Sequence, residues 1–297
     1  MKTFDSFTVS DEYEGLTVED YLKQVLKYSG RKIQKLTRNK GILLNGKTVF
    51  LQKKVKPRDV IRILSLEDKS YGVLPEGGEI DILYEDRYLI VLNKPGNLLV
   101  HPTGRTTHGT LANYLAFYYQ KCGVTLTIRP LHRLDRETSG CVVFAKDSRT
   151  QSILEQQLHN GKLKRNYLAI VQGLIQPPDG TINAPIGPHL TMPNRRAILS
   201  QGDSAVTHYR TVQNFADTTL VELTLETGRT HQIRLHLTHI GHPIIGDRMY
   251  GKQSSIISRQ ALHACFVHFS HPSDEREIIV HAPIPSDFEY AMEICSI

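Results

Sequence analysis

Cysteine is sparse. Cys122, Cys141, Cys265 and Cys295 are scattered and form no C-x-x-C pair, which argues against both a disulfide framework and a cysteine zinc site. We read them as reduced thiols. Long apolar runs are missing too: nothing approaches the roughly 20 residues that span a bilayer, and MKTFDSFTVSDEYEG has no apolar signal-peptide core. The expected location is therefore the cytoplasm, with no membrane association. Fixed-period repeats and low-complexity tracts are absent, which sets aside solenoids and flexible tails. What is present is ordinary globular composition, 40 % hydrophobic and 22 % charged over 297 residues, enough for one large domain or two unequal ones.

Negative charge is nearly missing from one region. Residues 23–62 hold thirteen Lys or Arg against a single acid, Asp59. Residues 1–70 carry 15 basic and 9 acidic side chains, which accounts for the whole net charge of +6. Such a unit suits a polyanion; a solvated lysine-rich face that aids solubility is the plainer alternative. In TVEDYLKQVLKY, Val18, Leu22, Val25 and Leu26 recur at helical spacing after Thr17 as N-cap. Ser29 can cap a second helix, RKIQKLTRNK, with Ile33 and Leu36 inward, Arg31, Lys32, Lys35 and Arg38 outward, and Gly41 as its stop. Asn45-Gly46 between two short apolar stretches predicts a tight hairpin, and VIRIL a further strand after the turn at Pro57-Arg58-Asp59. Over residues 14–66 this pattern resembles the S-four-like RNA-binding domain, which implies a small α/β unit whose Arg31, Lys32, Lys35 and Arg38 meet RNA phosphates.

Residues 67–79, EDKSYGVLPEGGE, carry Gly, Pro and charge without periodic apolar positions and read as a linker. We divide the chain into an RNA-binding domain at 1–72, a linker at 73–80 and a catalytic domain at 81–297. Beyond the linker, IDILYEDRYLIVLNKP predicts a hairpin, TLANYLAFYYQ a helix, CVVFAK a strand and SRTQSILEQQL a helix. NYLAIVQGLI, VTHYRTVQNF and TLVELTLE predict strands, HQIRLHLTHIG a helix and REIIVHAPI a closing strand. Runs of consecutive strands among helices predict an α+β fold with a mixed, largely antiparallel sheet.

The stretch PLHRLDRETSG packs His132, Arg133, Asp135, Arg136 and Glu137 between a proline and a glycine, just before an apolar strand. An Asp flanked by arginines can be held ionised and oriented, which suits a carboxylate nucleophile. An ion-paired turn that caps a strand is the bland alternative. KPGNLLVHPTG presents Lys94 and His101 in a turn-rich loop, and ETGRTHQIRLHLTHIGHPIIGDRMYG presents Arg229, His231, Arg234 and His242 beside a helix. His231, His236 and His239 are spaced by five and three residues, not the i, i+4 interval that offers two metal ligands from one helix face, so no metal is expected.

In this order KPGNLLVHP, HRLDRETSG, RNYLAIVQG and TGRTHQIRLHLTHIGHPIIGD resemble the RluA-type pseudouridine synthases, over about residues 80–285. The resemblance implies a catalytic domain of that type, with Asp135 as nucleophile, Tyr167 against the uracil and Arg234 paired with Asp135. It implies Leu225 in the same pocket, Arg133 entering the RNA where the nucleotide is extruded, and His132, Lys94 and His101 on the substrate side. The reaction breaks the bond between uracil and ribose, turns the base and rejoins it through carbon. It involves no change in oxidation state, so no cofactor is expected. Asp135 could attack the ribose, add to uracil carbon 6, or remove the 2′ proton; the sequence leaves all three open. The expected partner is structured RNA, large-subunit ribosomal RNA ahead of transfer RNA, bound by a monomer. A non-catalytic RNA-binding protein is one rival reading. A sugar glycosidase is another, and it would require Glu137 as its second acid.

Overall fold

The computed structural model describes residues 4–64, 68, 70–104 and 106–297. Residues 67 and 69 of the expected linker lie outside these. In the N-terminal unit, β1 (Phe4–Thr8), β2 (Ile42–Leu44), β3 (Lys47–Thr48) and β4 (Val60–Leu64) form an antiparallel sheet in the order β1-β4-β2-β3. Helix α1 (Val18–Asp20) runs on as a π turn over Tyr21–Val25, and the Thr17 hydroxyl accepts from the Asp20 N–H as its cap. Ser29 caps α2 (Gly30–Arg38) by accepting from Lys32 N–H. Ile33 and Leu36 on α2 pack with Leu22, Ile61 and Ile63 into a core of their own, each such side chain contributing roughly 1.5–3 kcal/mol of apolar burial.

One detail of α2 differs from expectation. The left-handed residue after the helix is Lys40 (φ 51°), not Gly41. The N–H groups of Lys40 and Gly41 reach back to the carbonyls of Thr37 and Leu36, the double closure that ends many helices. Gly41 is needed for space instead, because a Cβ there would stand 2.8 Å from that of Leu64. The Asn45-Gly46 hairpin forms as expected, both residues at positive φ.

The larger unit is built on a ten-stranded sheet. Its strands are β5 (Asp81–Glu85), β6 (Leu89–Lys94), β7 (Arg129–Pro130), β8 (Ser139–Ala145), β9 (Lys164–Gln172), β10 (Asp179–Asn183), β13 (Val206–Asn214), β14 (Thr218–Leu225), β15 (Leu262–Ser270) and β16 (Glu277–His281); β11 (Ile186–Pro188) and β12 (Arg196–Ile198) pair separately. The order is β10-β13-β14-β9-β15-β8-β6-β5, with β16 beside β15 and β7 beside β8. Every pairing between these strands is antiparallel except that of β15 with β8, so the mixed, largely antiparallel expectation stands.

The central strands are apolar on both faces, which explains why LIVL and CVVF read as unbroken apolar runs. Ile90, Leu92, Val142 and Phe144 face a core shared with α3 (Leu111–Lys121), α5 (Gln232–His239) and α6 (Ser286–Cys295). Leu89, Val91, Cys141 and Val143 face the opposite core, under α4 (Ser148–His159). The segment expected to be a free linker is tied down where it is described. Asp68 forms an ion pair with Arg129 at 2.5 Å, Tyr71 accepts from Ile128 N–H through its carbonyl, and Asn113 donates to Leu74 O. Among the described residues no helix is long and apolar enough to cross a membrane.

His263, fully buried on β15, bonds Ser139 Oγ through Nδ1 at 3.0 Å, and burial pushes its pKa from 6.5 down to about 4. Between those values the unfolded chain binds a proton that the folded chain refuses. Folding stability is therefore full above pH 6.5 and falls as pH drops toward 4, by about 1.4 kcal/mol per unit for such a group. Urea unfolding of wild type and His263→Gln at pH 7 and about pH 4.5 tests this: the variant should show the shallower pH dependence, and equal slopes would refute the assignment.

Candidate active site

Asp135 lies in the loop between β7 and β8, and several groups immobilise that loop from behind. Thr138 N–H donates to Asp135 O. Gln260 Nε2 donates to Thr138 Oγ1 at 2.7 Å, and Arg259 Nη1 donates to Glu137 O at 3.0 Å. Arg259 is itself held by both carboxylate oxygens of Asp287, at 2.6 and 2.8 Å, near the start of α6. Lys94, expected on the substrate side, belongs to this scaffold instead. It is fully buried, its Nζ donates to Pro95 O, Leu98 O and Arg136 O, and burial lowers its pKa to about 7. With all three donors spent on carbonyls, it has none for a substrate.

The carboxylate is held from the front by Arg234 on α5. Arg234 Nη1 donates to Asp135 Oδ2 at 3.0 Å, while Nε and Nη2 grip both oxygens of Asp247 at 2.7 and 2.8 Å. One guanidinium thus bridges two carboxylates. Burial alone would lower the Arg234 pKa, but Asp247 and Asp135 push it upward; burial would raise that of Asp247, but Arg234 holds it below the ordinary range. Asp247 is 1 % exposed. It follows Gly246, which approaches the Arg259 carbonyl so closely at φ 74° that any Cβ would collide with it.

The loop before α5 is shaped by Gln232. Its Oε1 accepts from Arg229 N–H and from Thr227 Oγ1, and its Nε2 donates to Val206 O and Thr207 Oγ1. His231 consequently sits at φ 59°, a costly conformation for a non-glycine residue. Its Nδ1 meets Tyr250 OH at 3.0 Å and its Nε2 stands 3.9 Å from Asp135 Oδ1. Burial lowers the His231 pKa, against the pull of Asp135.

These elements surround a cavity of about 540 Å³ lined by Asp135, Arg234, Tyr167, Leu225, His132, Arg133 and Arg165, among others. Tyr167 is buried on β9, and burial raises its pKa. His132 is kept neutral, its pKa pushed down to about 3 by burial and by Arg165. Exposed Arg133 also borders a second cavity of about 730 Å³, which shares Asp135, His231 and Arg234 and is walled by Arg136, Arg195 and Arg248. His101 lines neither cavity, which corrects its expected place at the substrate. No cluster of metal-ligating side chains occurs among the described residues; His236 is committed to Thr207 Oγ1 and Ala184 O. In the N-terminal unit Arg31, Lys35 and Arg38 are exposed. Lys32 is not a free cation: its Nζ donates to Ser148 Oγ at 2.8 Å and lies over the Tyr28 ring.

A half-buried carboxylate held by a bridging arginine, beside an aromatic ring at a cavity of an α+β sheet, suits an enzyme that works on a base. Residues 88–239 match the RNA pseudouridylate synthase family and residues 6–61 the RluD ribosomal pseudouridine synthase N-terminal domain. The chain belongs to the RNA pseudouridylate synthase family and is an RNA pseudouridine synthase. It is 42 % identical over 283 residues to the uncharacterized RNA pseudouridine synthase YhcT of Bacillus subtilis (strain 168), covering 95 % of this chain and 94 % of that one. It is 35 % identical over 303 residues to ribosomal large subunit pseudouridine synthase D of Escherichia coli (strain K12), covering 97 % and 93 %. Human RNA pseudouridylate synthase domain containing 1 superposes with a TM-score of 0.58 at 27 % identity, over 71 % of this chain and 86 % of that one.

Asp247 lines neither cavity, yet it holds Arg234 through two hydrogen bonds. Asp247→Asn should lower the single-turnover rate by about 10- to 100-fold with little change in RNA affinity. Asp247→Ala should cost about 3 kcal/mol of stability or more, because the guanidinium loses a buried partner. An Asp247→Asn enzyme with the wild-type rate would show that Arg234 needs no such support.

Proposed function

We propose that the chain, acting as a monomer, converts specific uridines of large-subunit ribosomal RNA to pseudouridine with Asp135 as the reacting carboxylate. The observation that carries the reading is the division of labour on that side chain. Oδ2 is taken by Arg234 at 3.0 Å, while Oδ1, at the cavity, has among the described residues no partner nearer than His231 Nε2 at 3.9 Å. An ionised, oriented oxygen with one free face suits attack on an electron-poor carbon. A base in this cavity would lie against Tyr167 and Leu225, out of its stack, as base-modifying chemistry requires. The ribosomal substrate is supported by the names of relatives such as the Escherichia coli protein, and by a family match at the N-terminal unit that bears the same name.

Three arginines, Arg133, Arg136 and Arg195, at the second cavity offer positive charge to the strand flanking the target. The exposed cations Arg31, Lys35 and Arg38 supply a second, sequence-independent contact.

Purified protein incubated with unmodified ribosomal RNA, followed by carbodiimide labelling and primer extension, should reveal pseudouridine at defined positions without any added cofactor. Folded Asp135→Asn should be slower by at least about a thousand-fold. Binding without modification by the wild type would favour a non-catalytic RNA-binding role. Replacing Arg31, Lys35 and Arg38 together by Gln should weaken RNA binding and flatten its dependence on log salt by roughly two to three units. An unchanged slope would remove α2 from the RNA interface.

A further inference from the structure

Arg165 is 6 % exposed, and a guanidinium taken out of water without a counter-ion costs several kcal/mol. The other buried arginines of this region, Arg234 and Arg259, each hold a carboxylate with two hydrogen bonds. Among the described residues Arg165 has one long hydrogen bond, 3.4 Å from Nη2 to Thr227 O, and its buried Nε–H has no partner. Neighbouring His132 gives no relief, since it is neutral. Gly228 packs directly against the guanidinium, since a Cβ there would stand 2.9 Å from Nη1, and it brings no polar side chain to it.

The location says what could complete it. Alternation along β9 puts Arg165 and Tyr167 on one face of the sheet, and both line the cavity that holds Asp135. Arg165, Tyr167 and Asp135 line one cavity, so a base lying on the Tyr167 ring would share it with both the carboxylate and the guanidinium.

We propose that Arg165 binds the uracil itself, donating to a ring carbonyl oxygen on which negative charge gathers as the bond from N1 to ribose C1′ breaks. This rests on the Asp135-centred reading above. The electron pair of that bond stays on the base and spreads onto its carbonyl oxygens, while the deficiency at C1′ is met by the Asp135 carboxylate or by loss of the C2′ proton to it. When the base turns, its electron pair forms the bond from C5 to C1′ as the Asp135 carboxylate leaves C1′, or returns its proton to C2′; the C5 proton then leaves and N1 takes one up. Arg165 gives and takes no proton; it stabilises the charge while the base is free to turn, and a preset donor in a dry site does this without reorganisation. A buried cation lacking an anion in the free enzyme gains one only during the reaction, which is where binding energy accelerates a step.

The test uses a short RNA spanning the uridine mapped as above, made with uridine, 2-thiouridine or 4-thiouridine at that position, since sulfur is a poorer acceptor than oxygen. Wild-type single-turnover rate should fall about tenfold with sulfur at the contacted position. Arg165→Met should be slower than wild type on uridine by on the order of a hundredfold, and should lose less than about twofold more with the same sulfur. Arg165→Lys should keep an intermediate rate and part of the sulfur sensitivity. Arg165→Met should melt no lower than wild type, because it removes an unpaired buried charge. Equal sulfur sensitivity in wild type and Arg165→Met, or a loss of thermal stability in that variant, overturns the proposal. A defect confined to RNA affinity and abolished at low salt overturns it too, by assigning the guanidinium to a phosphate. Failure of wild type to make any pseudouridine would instead strike the reading of Asp135.

Discussion

The site depends on placing one arginine between two carboxylates. Arg234 cannot be buried alone, and Asp135 cannot be both ionised and fixed without a cation. Asp247 resolves the conflict by taking two of the guanidinium's donors and leaving the third for Asp135. The rest of the architecture follows from that geometry. Helix α5 must present Arg234 toward the β7–β8 loop, so the preceding turn is forced through a left-handed histidine and locked by Gln232. Gly246 is required because the chain carrying Asp247 runs hard against the backbone at Arg259.

Behind the carboxylate, the supports come from places far apart in the chain: Lys94 from β6, Gln260 and Arg259 from the entry to β15, and Asp287 from α6. Lys94, Arg259 and Gln260 meet backbone carbonyls or a hydroxyl on the loop, Asp287 holds Arg259, and none of them meets the Asp135 carboxylate itself. The loop is thus fixed through its main chain, and the carboxylate is left to one partner. That separation leaves one oxygen of Asp135 facing the cavity while the backbone of its loop is tied to several distant segments.

Much of the fold was legible because its elements obey short-range rules. Thr17, Ser29 and Thr110 cap helices where their side chains can accept from the first turn, and the Asn45-Gly46 turn fixes a hairpin. Strands β1, β7, β10, β11, β12 and β15 and helix α6 were not anticipated: most of these strands are short, β15 mixes His, Cys and Ser with its apolar residues, and α6 has no capping side chain and a modest apolar face. At the site, Asp135, Tyr167, Arg234, Leu225, His132 and Arg133 do converge on one cavity. Lys94 and His101 do not, because a motif records which residues recur and not whether a side chain points at the ligand or at the chain's own carbonyls. Asp247 and Gln232 were within quoted motifs and carried no distinguishing signal; their roles arise from side chains meeting across elements. Lys32 reads as one more cation of a basic helix, and only packing reveals that its ammonium is spent on Ser148.

The bond from Asp287 through Arg259 to Glu137 O has a consequence for biosynthesis. Asp135 leaves the ribosome well before the helix that steadies its loop, and at ordinary elongation rates the interval is on the order of ten seconds. During that time a nascent chain already displays its basic N-terminal helices, yet it lacks the anchor that α6 gives the Asp135 loop. The order of translation thus sets a cationic surface in place before the loop at the cavity is fully held.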